Sequence, residues 1–185
     1  MNVNAKIKMQ RKEKGLTLEN LAALTGFTKG YLSKIERSTV PPPFATVQKI
    51  AEAMQLDIMA FFNAGSEQPE PHNIDLVRSA ADGQVSNQES NAIYSFIPLV
   101  NSYRNKQMSP FLFQVRKGET EHTTHDSEEF VYVLDGFLEL IYDGRSYSLR
   151  QGDAFYLDAR IMHYFVNRQD ETAVLLAVHF NYRRF

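Results

Sequence analysis

The chain has 185 residues, 43% hydrophobic and 23% charged, an ordinary globular balance with room for one large domain or two small ones. It contains no cysteine, which excludes a disulfide scaffold, a thiolate zinc site and a cysteine nucleophile. The net charge of −2 is split unevenly: nine Lys/Arg against five Asp/Glu over residues 1–62 (net +4), and eleven against seventeen over 63–185 (net −6). The front half is therefore the part suited to a polyanion. Met1 to Lys14 is polar and basic with no apolar signal core, and no apolar run approaches the ~20 residues of a membrane span, so a cytoplasmic protein with no membrane partner is expected.

From Ala5 to Phe62 apolar residues recur at helical spacing, which predicts five helices at about 4–13, 17–24, 28–36, 44–54 and 57–62. Leu18, Leu21, Ala22 and Thr25 share one face, Tyr31, Leu32 and Ile35 a second, and Val47, Ile50, Ala51 and Met54 a third. Gly15, Gly26 and Pro41-Pro42-Pro43 punctuate them. Thr17 and Thr28 stand where helix N-caps belong. The stretch from Asn63 to Pro71 is nearly devoid of apolar side chains and carries two prolines, as a linker does. The expected division is a helical domain over 1–63, a linker over 64–75 and a second domain over 76–185.

Two helices joined by a short glycine-containing turn form the DNA-binding helix-turn-helix, whose second helix enters the major groove. Here the pair is 17–24 and 28–36, with the turn at Thr25-Gly26-Phe27. With Leu32 and Ile35 facing the core, Lys29, Gly30, Ser33, Lys34 and Arg37 fall on the outer face. Cations, a hydroxyl and a small residue suit phosphates and base edges. With Thr17 and Thr28 at the helix starts, these are the candidate DNA-contacting residues.

Leu-Thr-Leu-Glu-Asn-Leu-Ala at 16–22, followed by Thr-Gly-Phe-Thr-Lys-Gly-Tyr-Leu-Ser-Lys-Ile-Glu-Arg at 25–37, resembles the lambda-repressor-like, XRE-type helix-turn-helix family over residues 5–62. The resemblance implies that the helix opened by Thr28 reads a double-stranded DNA operator. Two positions depart from the family. Ser38 replaces the usual glycine after Glu36-Arg37, and Pro42-Pro43-Phe44 replaces the usual Asn-Pro-Ser.

The texture changes to β from about residue 93. Runs rich in Val, Tyr, Phe and Leu at 111–116, 130–134, 137–142, 147–149, 154–157, 164–167 and 172–180 predict seven or more short strands in a sandwich or barrel. Asp143-Gly144 between two of them is a two-residue hairpin turn. A polar stretch at 79–91 reads as a loop.

Gly118-x3-His122-x2-His125-x3-Glu129-x6-Gly136 resembles the first cupin motif, and Gly152-x10-His163-x3-Asn167 the second. The expected fold class is thus a multi-domain α and β chain: a five-helix lambda-repressor-like domain followed by a cupin, a double-stranded β-helix or jelly-roll barrel. The resemblance implies a divalent-metal site inside the barrel. Aligned back from Gly136, Glu129 and His125 take the glutamate and second-histidine positions, Thr123 stands at the first-histidine position, and His163 takes the last. Asp158 and Arg160 depart from the second motif's usual Pro and Gly.

The set His125, Glu129 and His163 is two imidazoles and a carboxylate, the facial triad of non-haem iron that also accepts Mn, Ni or Zn. His122 lies one residue off the missing ligand, and strand alternation sends it elsewhere. The alternative is a metal-free pocket in which His125 and His163 hydrogen-bond a small-molecule effector. Tyr94, Tyr103, Arg104, Tyr156, Asn167 and His179 are further candidates for an effector pocket. Parity turns Tyr132 away from Glu129, and Arg78, Arg104 and Arg116 are candidates to hold an anion.

Two functions compete. In the first, a homodimer joined through its barrels presents two reading helices to DNA, and an effector in the barrel shifts the population of DNA-competent states. In the second, the layout resembles the iron-dependent hydroxypropylphosphonate epoxidases. His125, Glu129 and His163 would then hold Fe(II), and Lys14, Tyr94 or Tyr103 would meet the phosphonate. The basic outer face at Lys29, Lys34 and Arg37 favours the regulator over the enzyme.

Overall fold

A computed structural model describes residues 2–62, 76, 88–89, 93–100 and 106–181. The chain divides into two compact units, one built from the helices and one from the strands.

The helical unit contains α1 (Val3–Glu13), α2 (Leu18–Thr25), α3 (Lys29–Arg37) and α4 (Phe44–Ala53). The fifth predicted helix, 57–62, is a single 3-10 turn, Ile58–Phe61, closed by the Asp57 carboxylate accepting from the Met59 N–H. Four residues are too few to complete an α-helical nucleus and extend it. Thr17 caps α2 by accepting from the Asn20 N–H, while the Asn20 side chain accepts from the Thr17 N–H. Thr28 caps α3 by accepting from the Tyr31 N–H. Gly26 ends α2 at φ +72°, a left-handed cap that glycine adopts at no steric cost. Ser38 leaves α3 at φ −72° and ψ 151°, an extended exit that needs no glycine, and this accounts for the first family departure.

Leu21, Leu32, Ile50, Val47 and Phe61 fill the core of this unit, all essentially inaccessible to solvent. Polar side chains tie α1 to the end of α3. The Arg11 guanidinium donates through Nε and Nη2 to the Glu36 carboxylate at 2.6 and 3.0 Å and through Nη1 to the Leu16 carbonyl. The Asn4 amide donates to the Ile35 and Val40 carbonyls.

Ten strands lie among the described residues of the second unit: β1 (Gln88–Glu89), β2 (Tyr94–Pro98), β3 (Met108–Val115), β4 (Gly118–Glu119), β5 (Ser127–Asp135), β6 (Phe137–Tyr142), β7 (Arg145–Arg150), β8 (Ala154–Asp158), β9 (His163–Asn167) and β10 (Ala173–Asn181). They form two antiparallel sheets, β1-β2-β3-β10-β5-β8 and β4-β9-β6-β7. Inward residues of both, among them Val131, Val133, Leu175, Leu138 and Leu140, share one core, the arrangement of the expected cupin jelly roll.

The expected strands all appear, and the short β1, β2 and β4 are added to them. β5 begins at Ser127, three residues before its apolar run, because Ser127 and Glu129 point inward and are buried despite their polarity. At the expected hairpin both Asp143 (φ +50°) and Gly144 (φ +74°) are left-handed, the pattern of a type I′ turn.

Gly136, where the chain crosses from β5 to β6, is more constrained. Its φ is +85°, and an added Cβ would lie 2.9 Å from the Ala173 Cα. Gly136→Ala is therefore expected to cost on the order of 3 kcal/mol, combining backbone strain with a backbone clash. Gly144→Ala, which meets nothing within 4 Å, is expected to cost only about 1 kcal/mol. Thermal melts of the two variants check the difference.

Candidate functional site

Two sites emerge. The first is the outer face of α3. Leu32 and Ile35 are buried, which turns Lys29, Gly30, Lys34 and Arg37 into solvent and leaves Ser33 half-buried. Lys29 forms an ion pair with Glu19 near the start of α2. The Arg37 Nε donates to the Ser33 carbonyl one turn back at 3.1 Å, laying its guanidinium along the helix. Thr17 and Thr28 are exposed, with side-chain oxygens engaged as caps.

The second site lies inside the barrel. His125 precedes β5, Glu129 lies on β5, His163 opens β9 and His179 lies near the end of β10. The Glu129 Oε1 is 2.7 Å from the His125 Nε2, 3.4 Å from the His179 Nε2 and 3.9 Å from the His163 Nε2. All four side chains are buried. His125, Glu129 and His179 offer ligand atoms that all lie within 4.8 Å of one another. Donors roughly 2.1 Å from a common cation stand about 3.0 Å apart at a right angle and about 3.4 Å apart at a tetrahedral one; the His179 separation falls in that range, that of His125 is about 0.3 Å shorter and that of His163 about 0.5 Å longer.

Neighbouring groups aim the rings. The His125 Nδ1 is 2.6 Å from the Oγ of the fully buried Ser127, and the His163 Nδ1 donates to the Ile161 carbonyl at 2.8 Å. Each contact fixes its ring with Nε2 facing Glu129, as the outer shells of histidine-ligated metals do. The His125 and His179 rings stack within 3° of parallel at 5.5 Å, and His179 packs against Phe111 and Phe113.

The electrostatics agree with this arrangement. Burial opposes ionisation of Glu129, but His179, His125 and His163 outweigh it and hold the carboxyl well below its ordinary range. Burial pulls His179 down to about 4 against the opposing influence of Glu129, and burial also lowers His163. A carboxylate held ionised beside two imidazoles, His163 and His179, whose protonation burial disfavours is a donor set suited to metal ligation.

The structure thus gathers the expected His125 and Glu129 together with His179, which the sequence gave only as an effector-pocket candidate, while the expected His163 stands beside this set with its Nε2 3.9 Å from the Glu129 carboxylate. His179 is not in either cupin motif. Its inward parity with Leu175 and Ala177 and its register directly opposite Glu129 bring it in, and cross-strand register is not visible in spacing. Thr123 is half-buried and bridges His163 across the strands, through backbone hydrogen bonds of 3.0 and 3.1 Å.

Two pocket candidates are corrected. Tyr156 is 64% exposed and bonds to Glu128, because its parity on β8 turns it outward. The buried Asn167 is a loop staple: its amide donates to the Val115 and Glu171 carbonyls, and its oxygen accepts from the Gln169 N–H. Tyr94 is buried against Phe113. Tyr103, Arg104, Arg78 and the linker residues 64–75 lie outside the described residues. His122 points outward, as its parity predicts, stacking on Tyr164 and pairing with Glu119.

A family model described as Helix-turn-helix matches residues 7–61, and one described as Cupin domain matches residues 111–179. The chain is also 26% identical over 175 residues to the HTH-type transcriptional regulator PuuR of Escherichia coli (strain K12), covering 91% of this chain and 89% of that protein. It belongs to the helix-turn-helix transcriptional regulators that carry a cupin domain. The regulator shares its fold with an HTH_3 family transcriptional regulator from Vibrio cholerae at a TM-score of 0.73 and 22% identity, covering 98% of this chain and 96% of the other. Hydroxypropylphosphonic acid epoxidase from S. wedmorenis aligns at a TM-score of 0.50 and 17% identity over 96% of each chain, a likeness of fold alone. No helix among the regulator's described residues is long and apolar enough to cross a membrane.

Proposed function

We propose that this transcriptional regulator binds a double-stranded DNA operator in the cytoplasm through Lys29, Gly30, Ser33, Lys34 and Arg37, with Thr17 and Thr28 at the flanking helix starts. Residues 1–63 form the DNA-binding domain, 64–75 the linker and 76–185 the sensor domain. The observation that carries this reading is α3, whose buried Leu32 and Ile35 leave a cationic opposite face in solvent.

The barrel senses a small-molecule effector together with a divalent cation (Fe, Mn, Ni or Zn). His125, Glu129, His163 and His179 hold the cation, which supplies a positive centre inside the barrel. Effector binding shifts the population of DNA-competent states.

The test is binding to a pool of short duplexes across a salt series. Affinity is expected to fall steeply with salt, and Lys34→Ala and Arg37→Ala are each expected to weaken binding about tenfold and flatten the salt slope by about one. The epoxidase-like alternative uses the same His125, Glu129 and His163. Absence of DNA binding together with oxygen consumption by the Fe(II)-loaded protein would favour it and overturn the regulator.

The regulator acts as a homodimer joined through its barrels, which supplies two reading helices for two half-sites. The outer face of the larger sheet supports this. Pro110, Val178, Phe130 and Tyr156 stand opposite one another across four strands, with Phe130 41% exposed, and Tyr132 (38%) is exposed beside them. Phe130→Glu with Tyr132→Glu is expected to convert a dimer to a monomer in light scattering. A monomeric parent protein would remove the dimer.

A further inference from the structure

We infer that His179 supplies the third imidazole that Thr123 cannot, and that the position left open beside Thr123 is where an anionic oxygen donor of the carboxylate class enters. This inference rests on the metal-centre reading above and specifies both the fourth ligand and the chemistry of the effector.

The first part follows from reach and register. A threonine hydroxyl is a neutral oxygen on a one-carbon stem and a poor substitute for an imidazole. His179 comes instead from the opposite sheet, paired with Glu129, and its Nε2 is closer to the Glu129 carboxylate than that of His163, at 3.4 against 3.9 Å. Three imidazoles and one carboxylate are thereby retained from four separate places in the chain.

The second part follows from burial around His163. Thr123 and His163 exchange both backbone hydrogen bonds, so their side chains share a face, with Cα atoms about 5.5 Å apart. The four ligands are buried, but Thr123 is half-buried. The inward neighbours of His163 are half-buried as well: Tyr142 directly opposite on β6, and Phe165 two residues on, with Phe155 6.3 Å from Phe165. Among these residues the least buried approach to the centre is therefore past Thr123, between aromatic side chains.

Four ligands leave about two of six positions on a divalent ion, and one carboxylate against two positive charges leaves the loaded centre with one net positive charge. A compact carboxylate anion that can place two oxygens on the ion matches the charge and the two open positions.

The test uses the full-length protein loaded with Co(II), followed by visible absorption and by the paramagnetically shifted imidazole N–H resonances. Three such resonances are expected. Oxalate is expected to change the visible spectrum saturably, and ethylene glycol to leave it unchanged. His179→Gln is expected to lower Co(II) affinity at least tenfold while melting cooperatively. Thr123→His is expected to keep Co(II) and lower oxalate affinity at least tenfold.

A parent protein that binds no Co(II) overturns the metal reading and this inference together. Bound Co(II) with unchanged affinity in His179→Gln overturns the His179 assignment alone. In the parent, the lack of a shifted imidazole N–H with a nuclear Overhauser contact to Phe111 or Phe113, which flank His179, overturns it even if the variant does not fold. Oxalate silence in the parent, or an undiminished response in Thr123→His, overturns the anion entry.

Discussion

Glu129→Gln is expected to reduce bound divalent metal from one per chain to a small fraction of that, an affinity loss of at least a hundredfold. The amide keeps the shape of the side chain but removes the charge at the centre of the cluster. Glu129 is the group from which all three imidazole distances are measured, 2.7, 3.4 and 3.9 Å. Three neutral imidazoles then face the cation with no compensating charge inside a buried site, where desolvation is expensive. The readout is elemental analysis of dialysed protein together with melting. A ligand at a hundred times its dissociation constant stabilises the native state by about 2.7 kcal/mol, a rise on the order of 10 °C for a unit of this size. The parent is expected to show that rise with added metal and Glu129→Gln to show none. Equal metal content in the two proteins would take Glu129 out of the centre.

Arg11→Ala is expected to destabilise the helical unit by about 3–5 kcal/mol, because it strands the buried Glu36 carboxylate without its partner. The two side chains are 10% and 5% exposed and share a fork of two hydrogen bonds. The Arg11 guanidinium also holds the Leu16 carbonyl at the entry to α2, so the change loosens both α2 and α3. Helical circular dichroism against urea measures the loss, and DNA affinity is expected to fall in parallel although Arg11 lies outside the reading face. Replacing both partners by apolar residues, Arg11→Met with Glu36→Leu, is expected to recover much of the stability, since it removes the unpaired charge. A loss below about 1 kcal/mol in Arg11→Ala would mean that the pair behaves as an exposed surface bridge.

The helical unit was largely legible because its signals are local. Period, caps and a turn glycine all act within a few residues, and Thr17, Thr28 and Gly26 do what their types favour. The final 3-10 turn was misread because apolar content at 57–62 signals burial without specifying which helix forms. Ser38 looked like a defect only because backbone conformation after α3 cannot be read from the residue type.

In the barrel, strand rhythm, the Asp143-Gly144 hairpin and the inward parity of Glu129 and His163 were readable. Ser127 and Glu129 hid the start of β5, since a buried polar pair satisfied by histidines carries no β propensity. Tyr156 and Asn167 show the opposite error. Their chemistry fits a pocket, but parity turns one outward and a loop's carbonyls occupy the other. His179 joins the centre only through pairing with a strand 50 residues earlier, at Glu129.

That pairing has a mechanical consequence. Glu129 and His179 belong to the six-stranded sheet, and His163 belongs to the four-stranded one. A cation gripped by all three closes the sandwich like a buckle, so the faces cannot part without breaking a coordination bond. Amide protons of β9, close to one edge of the smaller sheet, are then expected to exchange with solvent only when the whole barrel unfolds. In the stripped protein they escape through local opening of that edge.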